Sequence, residues 1–353
     1  MPAMSRLERT ELRQPDGRRV TLYGPHQPAP PGYQAPLAQP GIYERRWNPL
    51  RREWVLVAAA RQGRTFLPVR SRCPLCPSTG EHSTEIPARA FNLAVFENRF
   101  PSLRADGDRS GRPEAVASAG VCEVVVYTAE HEGSLATLAP ERVADLAEVW
   151  ADRYRVLAAR PDVRYVFIFE NRGEAVGVTL HHPHGQVYGY PFLPPHAAAE
   201  LRAGSGTGCP ICAQLARERR AAIRVLFRAS AAVAYVPAFA RWPYEVHVVT
   251  PAHLPCLLDL SRSARRSFAL ALQRVVRAYD RLFKTPMPYM MVLHQRPTDG
   301  RAHPRAHLHA EFYPLLRDRG RLKYLAGSES GAGVFINDTL AEETAARLRT
   351  LMA

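Results

Sequence analysis

Two histidines and a glutamine, each separated from the next by one residue, form the motif HPHGQ: His182, His184 and Gln186. Alternate side chains of an extended strand point to the same face, so we expect all three to converge on one small volume. An unprotonated imidazole nitrogen is both a nucleophile toward phosphorus and a metal ligand. The motif therefore predicts phosphoryl or nucleotidyl transfer through a covalent phosphohistidine, with a metal ion close by. The alternative, ordinary polar residues on a half-exposed strand, accounts less well for the regular spacing.

Four of the six cysteines form two Cys-x-x-Cys pairs, CPLC and CPIC. The sequence has no apolar signal core and no stretch long enough to span a membrane, which predicts a cytoplasmic protein. In that compartment such pairs indicate metal sites before disulfides. Structural zinc often takes one such pair and two histidines. The first predicted zinc site consists of Cys73, Cys76, His131 and His182. A buried reduced pair with unrelated histidines is the alternative.

The elements needed to position these residues occur twice in the same order. A helical pattern over 140–160, a strand over 165–170, a loop and the HPHGQ strand are followed by a second helical pattern over 261–283, a strand over 289–294, a loop and the sequence HLHAEFYP. We therefore predict an α+β fold made by duplication of one unit, with an antiparallel sheet flanked by helices. The sequence divides into three predicted parts. The tail over 1–41 is rich in Pro and Gln and is expected to be disordered or loosely packed. An N-terminal half over 42–195 and a C-terminal half over 196–353 follow it.

The duplication also predicts a second zinc site. Its ligands would be Cys209, Cys212, His253 and His307, by equivalence with the first set. The alternative is that His253 caps a turn.

The net charge of +14 raises the question of a nucleic-acid partner. Only Lys284 and Lys323 are lysines, and the arginines are scattered through the chain rather than gathered into one tract. A phosphate-rich small substrate uses a positive field equally well. A zinc protein that binds nucleic acid would leave HPHGQ unexplained, so we predict neither a nucleic-acid nor a membrane partner.

The motif HPHGQ, the preceding NRGEAVGVT, CPLC and HLHAEFYP together resemble the galactose-1-phosphate uridylyltransferase family of the histidine-triad superfamily. The resemblance extends from about Arg45 to the C-terminus. It implies duplicated histidine-triad-like units, a homodimer, and exchange of UMP between UDP-glucose and galactose-1-phosphate by a ping-pong mechanism. It also implies that His184 is the nucleophile and that Gln186 donates a hydrogen bond to the phosphoryl oxygens.

Further site residues follow from the same resemblance. Those expected to bind substrate are Arg61, Arg64, Asn98, Asn171, Thr179 and Lys323. A second metal, iron or zinc, would be held by Glu200, His294, His309 and Glu311. Glu311 is a departure, because the best-known members have a histidine at this position.

Gln186 itself favours a transferase over a hydrolase. A sugar phosphate leaves as a stable anion and needs no proton, whereas an amine or alkoxide needs a general acid such as imidazolium. An amide donates a neutral hydrogen bond but does not activate water, so the covalent intermediate can wait for an acceptor. The alternative enzyme is an ADP-sugar or dinucleoside-polyphosphate phosphorylase that uses the same histidine, because no residue of these motifs determines a preference for uracil over adenine.

Overall fold

A computed structural model of the chain describes residues 7–38, 40–104, 109–203 and 208–352. The strands of its first half are β1 (Arg9–Arg13), β2 (Arg19–Pro28), β3 (Tyr43–Asn48), β4 (Glu53–Ala58), β5 (Ala88–Glu97), β6 (Ala115–Ala117), β7 (Val121–Val126), β8 (Tyr165–Arg172) and β9 (His184–Tyr190). Those of its second half are β10 (Val225–Arg228), β11 (Val233–Tyr235), β12 (Val246–Val249), β13 (Tyr289–His294), β14 (His309–Pro314), β15 (Leu316–Asp318) and β16 (Arg321–Leu322). The helices are α1 (Pro140–Ala158), α2 (Pro195–Arg202), α3 (Pro210–Ala221), α4 (Arg262–Leu282) and α5 (Ala341–Met352).

Eleven of the strands form one antiparallel sheet that passes through both halves of the chain. Its order is β1-β2-β5-β7-β9-β8-β13-β14-β12-β11-β10. The two halves meet where β8 pairs with β13, with Glu170 opposite Met291. On either side of this pair the strand order is the same, because β9 and β7 flank β8 as β14 and β12 flank β13. The predicted α+β class with a large antiparallel sheet is confirmed.

Helices α1 and α4 pack against each other and cover the same core. The apolar positions that predicted the two helices are buried: Val143, Leu146, Val149, Trp150 and Leu157 in α1, and Phe268, Leu272, Val275, Val276 and Tyr279 in α4. Arg265 of α4 donates two hydrogen bonds to Glu148 of α1, at 2.8 and 3.0 Å. The Ser261 side chain caps α4 by accepting from the Ala264 N–H.

The predicted tail is wrong for the described part of residues 1–41. Strands β1 and β2 extend the large sheet, and β2 pairs with β5 over the register Val20–Phe96 to Tyr23–Leu93. Burial of Val20 and Leu22 against the rest of the first half stabilises this pairing. The proline-rich composition gave no indication of β2, a strand of 10 residues whose partner β5 lies far away in sequence.

Residues 9–190 contribute six strands to the large sheet and residues 225–314 contribute five. The predicted boundary between 195 and 196 lies in the first turn of α2. That boundary stays a prediction. Among the residues that the structure describes, no helix is both long enough and apolar enough to cross a bilayer.

Candidate active site and metal clusters

His184, the first residue of β9, presents one free ring nitrogen to a cleft. Its Nδ1 lies 2.7 Å from the backbone carbonyl oxygen of His182. A carbonyl only accepts, so Nδ1 carries the hydrogen and Nε2 keeps the lone pair. Burial lowers the pKa of His184, which keeps the imidazole neutral. The local geometry therefore supplies a nucleophilic nitrogen of fixed tautomer.

Gly185 allows β9 to pass close to a buried tyrosine. A Cβ at this position would lie 2.2 Å from the Tyr127 hydroxyl oxygen and 3.0 Å from the Phe169 carbonyl oxygen. The Tyr127 hydroxyl in turn donates to Glu170 at 2.9 Å. Glycine is thus required here for a close approach between backbone and side chain, rather than for a left-handed conformation.

The cleft in front of His184 brings together seven of the eight residues predicted to act on substrate: Arg61, Arg64, Asn98, Asn171, Thr179, His184 and Gln186. The Gln186 Oε1 accepts a hydrogen bond from the Tyr188 hydroxyl at 3.2 Å. Its amide nitrogen is left as the donor end of the side chain. Arg61 donates to the Phe100 carbonyl oxygen at 2.8 Å, which ties one wall of the cleft to the segment after β5.

The sequence reasoning missed a charged pair in the same cleft. Arg99 lies 3.2 Å from the buried carboxylate of Glu85, and its guanidinium is also 4.8 Å from the Phe100 ring centroid. Arg18, from the predicted tail, donates to the other oxygen of Glu85 at 2.8 Å. The FENRF motif, from which Asn98 was predicted, also contains Arg99 and Phe100. The same motif could therefore have identified these two residues of the cleft.

Lys323, which was predicted to bind substrate, does not line this cleft. Its ammonium group is buried and donates to Glu329 at 2.6 Å. That hydrogen bond lowers the pKa of Glu329 to about 2. The contact of Lys323 with phosphates, which the resemblance places near a dimer interface, stays a prediction.

The first predicted zinc set lies together, with ligand atoms within 4.8 Å of one another. The Cys76 sulfur is 3.3 Å from His131 Nδ1 and 3.5 Å from His182 Nδ1. His182 Nε2 donates to the Thr128 carbonyl oxygen at 2.8 Å, so its Nδ1 keeps the lone pair that faces the sulfurs. A hydrogen bond from Cys76 lowers the pKa of the Cys73 thiol, which favours the thiolate that a metal needs.

One expectation for the HPHGQ motif was wrong. The strand begins at His184, and His182 lies in the bend before it. His184 and Gln186 therefore share the cleft, as alternation on a strand predicts. His182 instead reaches the first cluster, because the Pro183 turn breaks the alternation.

The second Cys-x-x-Cys set has the same arrangement, again within 4.8 Å. Cys212 sulfur is 3.4 Å from the Nδ1 atoms of both His253 and His307. His307 Nε2 lies 2.9 Å from the Thr250 carbonyl oxygen, which repeats the contact between His182 and Thr128. Burial lowers the pKa of His307 to about 4, so the ring is neutral and able to bind a metal.

A third cluster contains the remaining predicted ligands, with ligand atoms within 4.8 Å: Glu200, His294, His309 and Glu311. The rings of His294 and His309 stack at 4.8 Å between centroids. Within the described residues, both ring nitrogens of His294 and the Nε2 of His309 are buried without a hydrogen bond of acceptable geometry. Burial disfavours charge on His294, but Glu200 and Glu311 outweigh it and raise the pKa of His294 to about 9. Unsatisfied ring nitrogens beside two carboxylates suit a divalent cation.

The fold and the cleft point to a class of protein: a nucleotidyltransferase built from two similar halves. Comparison with known families agrees. The N-terminal domain of galactose-1-phosphate uridyl transferase matches residues 36–194, and the C-terminal domain of the same enzyme matches residues 202–353.

Individual relatives cover most of the chain. A galactose-1-phosphate uridylyltransferase from Thermotoga maritima is 40% identical over 319 residues, which is 87% of this chain and 98% of that protein. A solved uridylyltransferase structure has a TM-score of 0.78 at 32% identity, over 88% of this chain and 98% of the other. An ADP-glucose phosphorylase from Arabidopsis thaliana has a TM-score of 0.67 over 87% of this chain and 98% of its own, and at 22% identity shares the fold alone. The chain belongs to the galactose-1-phosphate uridylyltransferase family.

Proposed function

We propose that this chain exchanges UMP between UDP-glucose and galactose-1-phosphate in two displacements at His184. The activity is that of the family. The assignment of the reaction to His184 is supported by its position in a cleft that also contains Arg61 and Arg64, with Nε2 as the nitrogen that keeps the lone pair. Guanidinium groups bind phosphate oxygens with strong, charge-assisted hydrogen bonds. The cleft thus offers both the nucleophile and the positive groups that a diphosphate substrate needs.

In the first step, His184 Nε2 attacks the α-phosphorus of UDP-glucose. A nitrogen–phosphorus bond forms, the bond from that phosphorus to the bridging oxygen breaks, and glucose-1-phosphate leaves with the electron pair. In the second step, a phosphate oxygen of galactose-1-phosphate attacks the same phosphorus. UDP-galactose forms, and the lone pair returns to Nε2.

Gln186 supports transfer rather than hydrolysis. Its amide N–H donates to the phosphoryl oxygens, on which negative charge builds up during both displacements. The leaving sugar phosphate needs no proton, and an amide does not deprotonate water. The uridylylated histidine therefore persists until the second sugar phosphate arrives.

We also propose that the two Cys-x-x-Cys clusters hold zinc in structural roles. Both sets offer two sulfurs and two imidazole nitrogens, the ligand set typical of closed structural zinc sites. The first would anchor the chain just before His184, through His182. The third cluster, with its two carboxylates, would hold a second divalent metal, iron or zinc.

Two further proposals concern assembly and location. The resemblance supports a homodimer, and exposed apolar side chains after Lys323, including Tyr324, Leu325 and Ile336, offer contact area for one. All six cysteines are unpaired, which supports a reducing compartment such as the cytoplasm.

The test is the intact mass of the protein after incubation with UDP-glucose alone. The wild type should gain one uridylyl group, lose it on addition of galactose-1-phosphate, and gain nothing as His184→Ala. His181→Ala, a change of the exposed neighbouring histidine, should label like the wild type. Labelling by ADP-glucose or a dinucleoside polyphosphate instead would favour a phosphorylase, and no labelling by any nucleotide would refute the covalent mechanism.

A further inference from the structure

The carboxylate of Glu311 lies among polar and charged side chains that the transfer reaction does not use. His247 lies directly opposite Glu311 in the register of β12 and β14, and its Nε2 is 3.4 Å from Glu311 Oε1. The Tyr313 hydroxyl donates to the other oxygen, Oε2. The Arg241 guanidinium lies 3.9 Å from the same Oε2 and donates to the Tyr313 hydroxyl at 3.0 Å. Polar groups thus face both oxygens and a guanidinium lies beside Oε2, which makes this position suited to a carboxylate.

His247 is itself fixed by a second carboxylate. Its Nε2 lies 2.9 Å from Glu245 Oε1, and both side chains are buried. The other oxygen of Glu245 accepts the backbone N–H groups of Arg241 and Trp242 at 2.7 and 3.0 Å. An ionised carboxylate only accepts, so His247 Nε2 carries a hydrogen and has no lone pair to offer a metal. His247 Nε2 therefore directs its single hydrogen to Glu245 while it faces Glu311 Oε1 at 3.4 Å, and this nitrogen is not a metal ligand.

We propose that His247 and Tyr313 hold Glu311 as a carboxylate ligand for a divalent cation in the third cluster, with Glu245 anchoring His247. The Tyr313 hydroxyl donates to Oε2 and the polar edge of His247 lies beside Oε1, which leaves the remaining lone pairs of Glu311 for the cation. The charges of Glu311 and Glu200 balance a divalent ion. This inference rests on the metal role proposed for the third cluster and concerns positioning residues, not the transfer chemistry.

The test measures how tightly the third cluster holds metal. Full-length protein produced with added Zn²⁺ is dialysed against increasing concentrations of a chelator, and metal per chain is measured by mass spectrometry. Glu311→Gln defines the metal equivalent that belongs to this cluster. His247→Leu should release that equivalent at about 10- to 100-fold lower chelator concentration, the usual effect of losing a partner that orients a ligand. His247→Gln keeps an N–H donor and should restore most of the affinity, and His26→Leu, in the other half, should match the wild type.

Two results would overturn the proposal: a His247→Leu protein that retains metal like the wild type, or a wild type that carries no more metal than Glu311→Gln. Metal in the two cysteine clusters serves as the folding control. If His247→Leu does not fold, Tyr313→Phe decides, because it removes the donor to the other oxygen and should weaken binding in the same direction. Unchanged affinity in Tyr313→Phe would then refute the proposal. Labelling of His184 by UDP-glucose, measured on the same samples, reports the proposed function separately.

Discussion

His184 and His309 are held in the same way in the two halves of the sheet: the Nδ1 of each ring lies 2.7 Å from the backbone carbonyl oxygen two residues earlier. Each therefore keeps its lone pair on Nε2. In the first half that nitrogen faces the open cleft, whereas in the second it faces the third cluster. The same hydrogen bond to a backbone carbonyl can thus orient a nucleophile or a metal ligand. The neighbouring side chains determine which of the two roles the histidine has.

The first prediction concerns His182, the link between the first cluster and the nucleophile. His182→Ala should lose one metal equivalent and lower the midpoint of thermal unfolding, because loss of a metal site is among the few changes that cost more than about 4 kcal/mol. Metal analysis and thermal unfolding of the same sample check both. His26→Ala, which removes a half-buried histidine bonded to the Gly24 carbonyl oxygen, is the control. Unchanged metal content in His182→Ala would refute its role as a ligand.

The second prediction separates Gln186 from the tyrosine that orients it. Gln186→Ala removes the donor to the transferring phosphoryl group and should slow uridylylation of His184 about 10²- to 10³-fold. Tyr188→Phe removes the hydrogen bond at 3.2 Å to Gln186 Oε1, worth about 1 kcal/mol, and should slow uridylylation about fivefold. Rapid-quench measurements of the first turnover check both rates. Tyr190→Phe, on the same strand, should keep the wild-type rate, and a full rate in Tyr188→Phe would exclude the orienting role.

The two cysteine clusters could be predicted from sequence because their ligands are chemically distinctive and recur at similar spacing in the two halves, whereas the third cluster followed only from the family resemblance. His131 and His253 each follow a buried strand of the same pattern, which fixes where they reach. The first two strands could not be predicted, because the pairing of Val20 with Phe96 depends on a register between distant segments. The contact between His247 and Glu311 was missed for the same reason, since it exists only once β12 lies beside β14. In each case the prediction would have required the register between two strands that are distant in sequence.

The third prediction concerns pH and the buried carboxyl group of Glu170 at the centre of the sheet. Burial raises the pKa of Glu170 above its ordinary 4.5, although the hydroxyls of Tyr127 and Tyr289 both donate to it, at 2.9 and 2.6 Å. A carboxyl group whose folded pKa is raised contributes stability that is fully present below pH 4.5 and is lost as the pH rises through the folded pKa. Glu170→Gln is neutral at every pH and avoids this loss.

The gain in thermal midpoint of Glu170→Gln over the wild type should therefore grow as the pH rises from about 5 through the folded pKa. Thermal unfolding in a series of buffers measures the difference. Glu114→Gln, which lies at an exposed position, should show no such trend. A difference that is constant with pH would show that folding leaves the pKa of Glu170 unchanged.

The fourth prediction compares a buried ion pair with an exposed one. Arg153 of α1 donates two hydrogen bonds to Glu123 of β7, at 2.8 and 2.9 Å, and the side chains are 4% and 3% exposed. Removing Glu123 leaves the buried Arg153 charge with only the more distant Asp152 carboxylate, at 3.7 Å, so Glu123→Ala should lower the free energy of unfolding by about 3 kcal/mol. In the pair of Arg317 with Asp338, the side chains are 46% and 44% exposed and water already solvates both charges. Asp338→Ala should therefore lower the free energy of unfolding by less than about 1 kcal/mol. Denaturant unfolding measures both variants. Equal losses of stability would contradict the argument that burial determines the size of the loss.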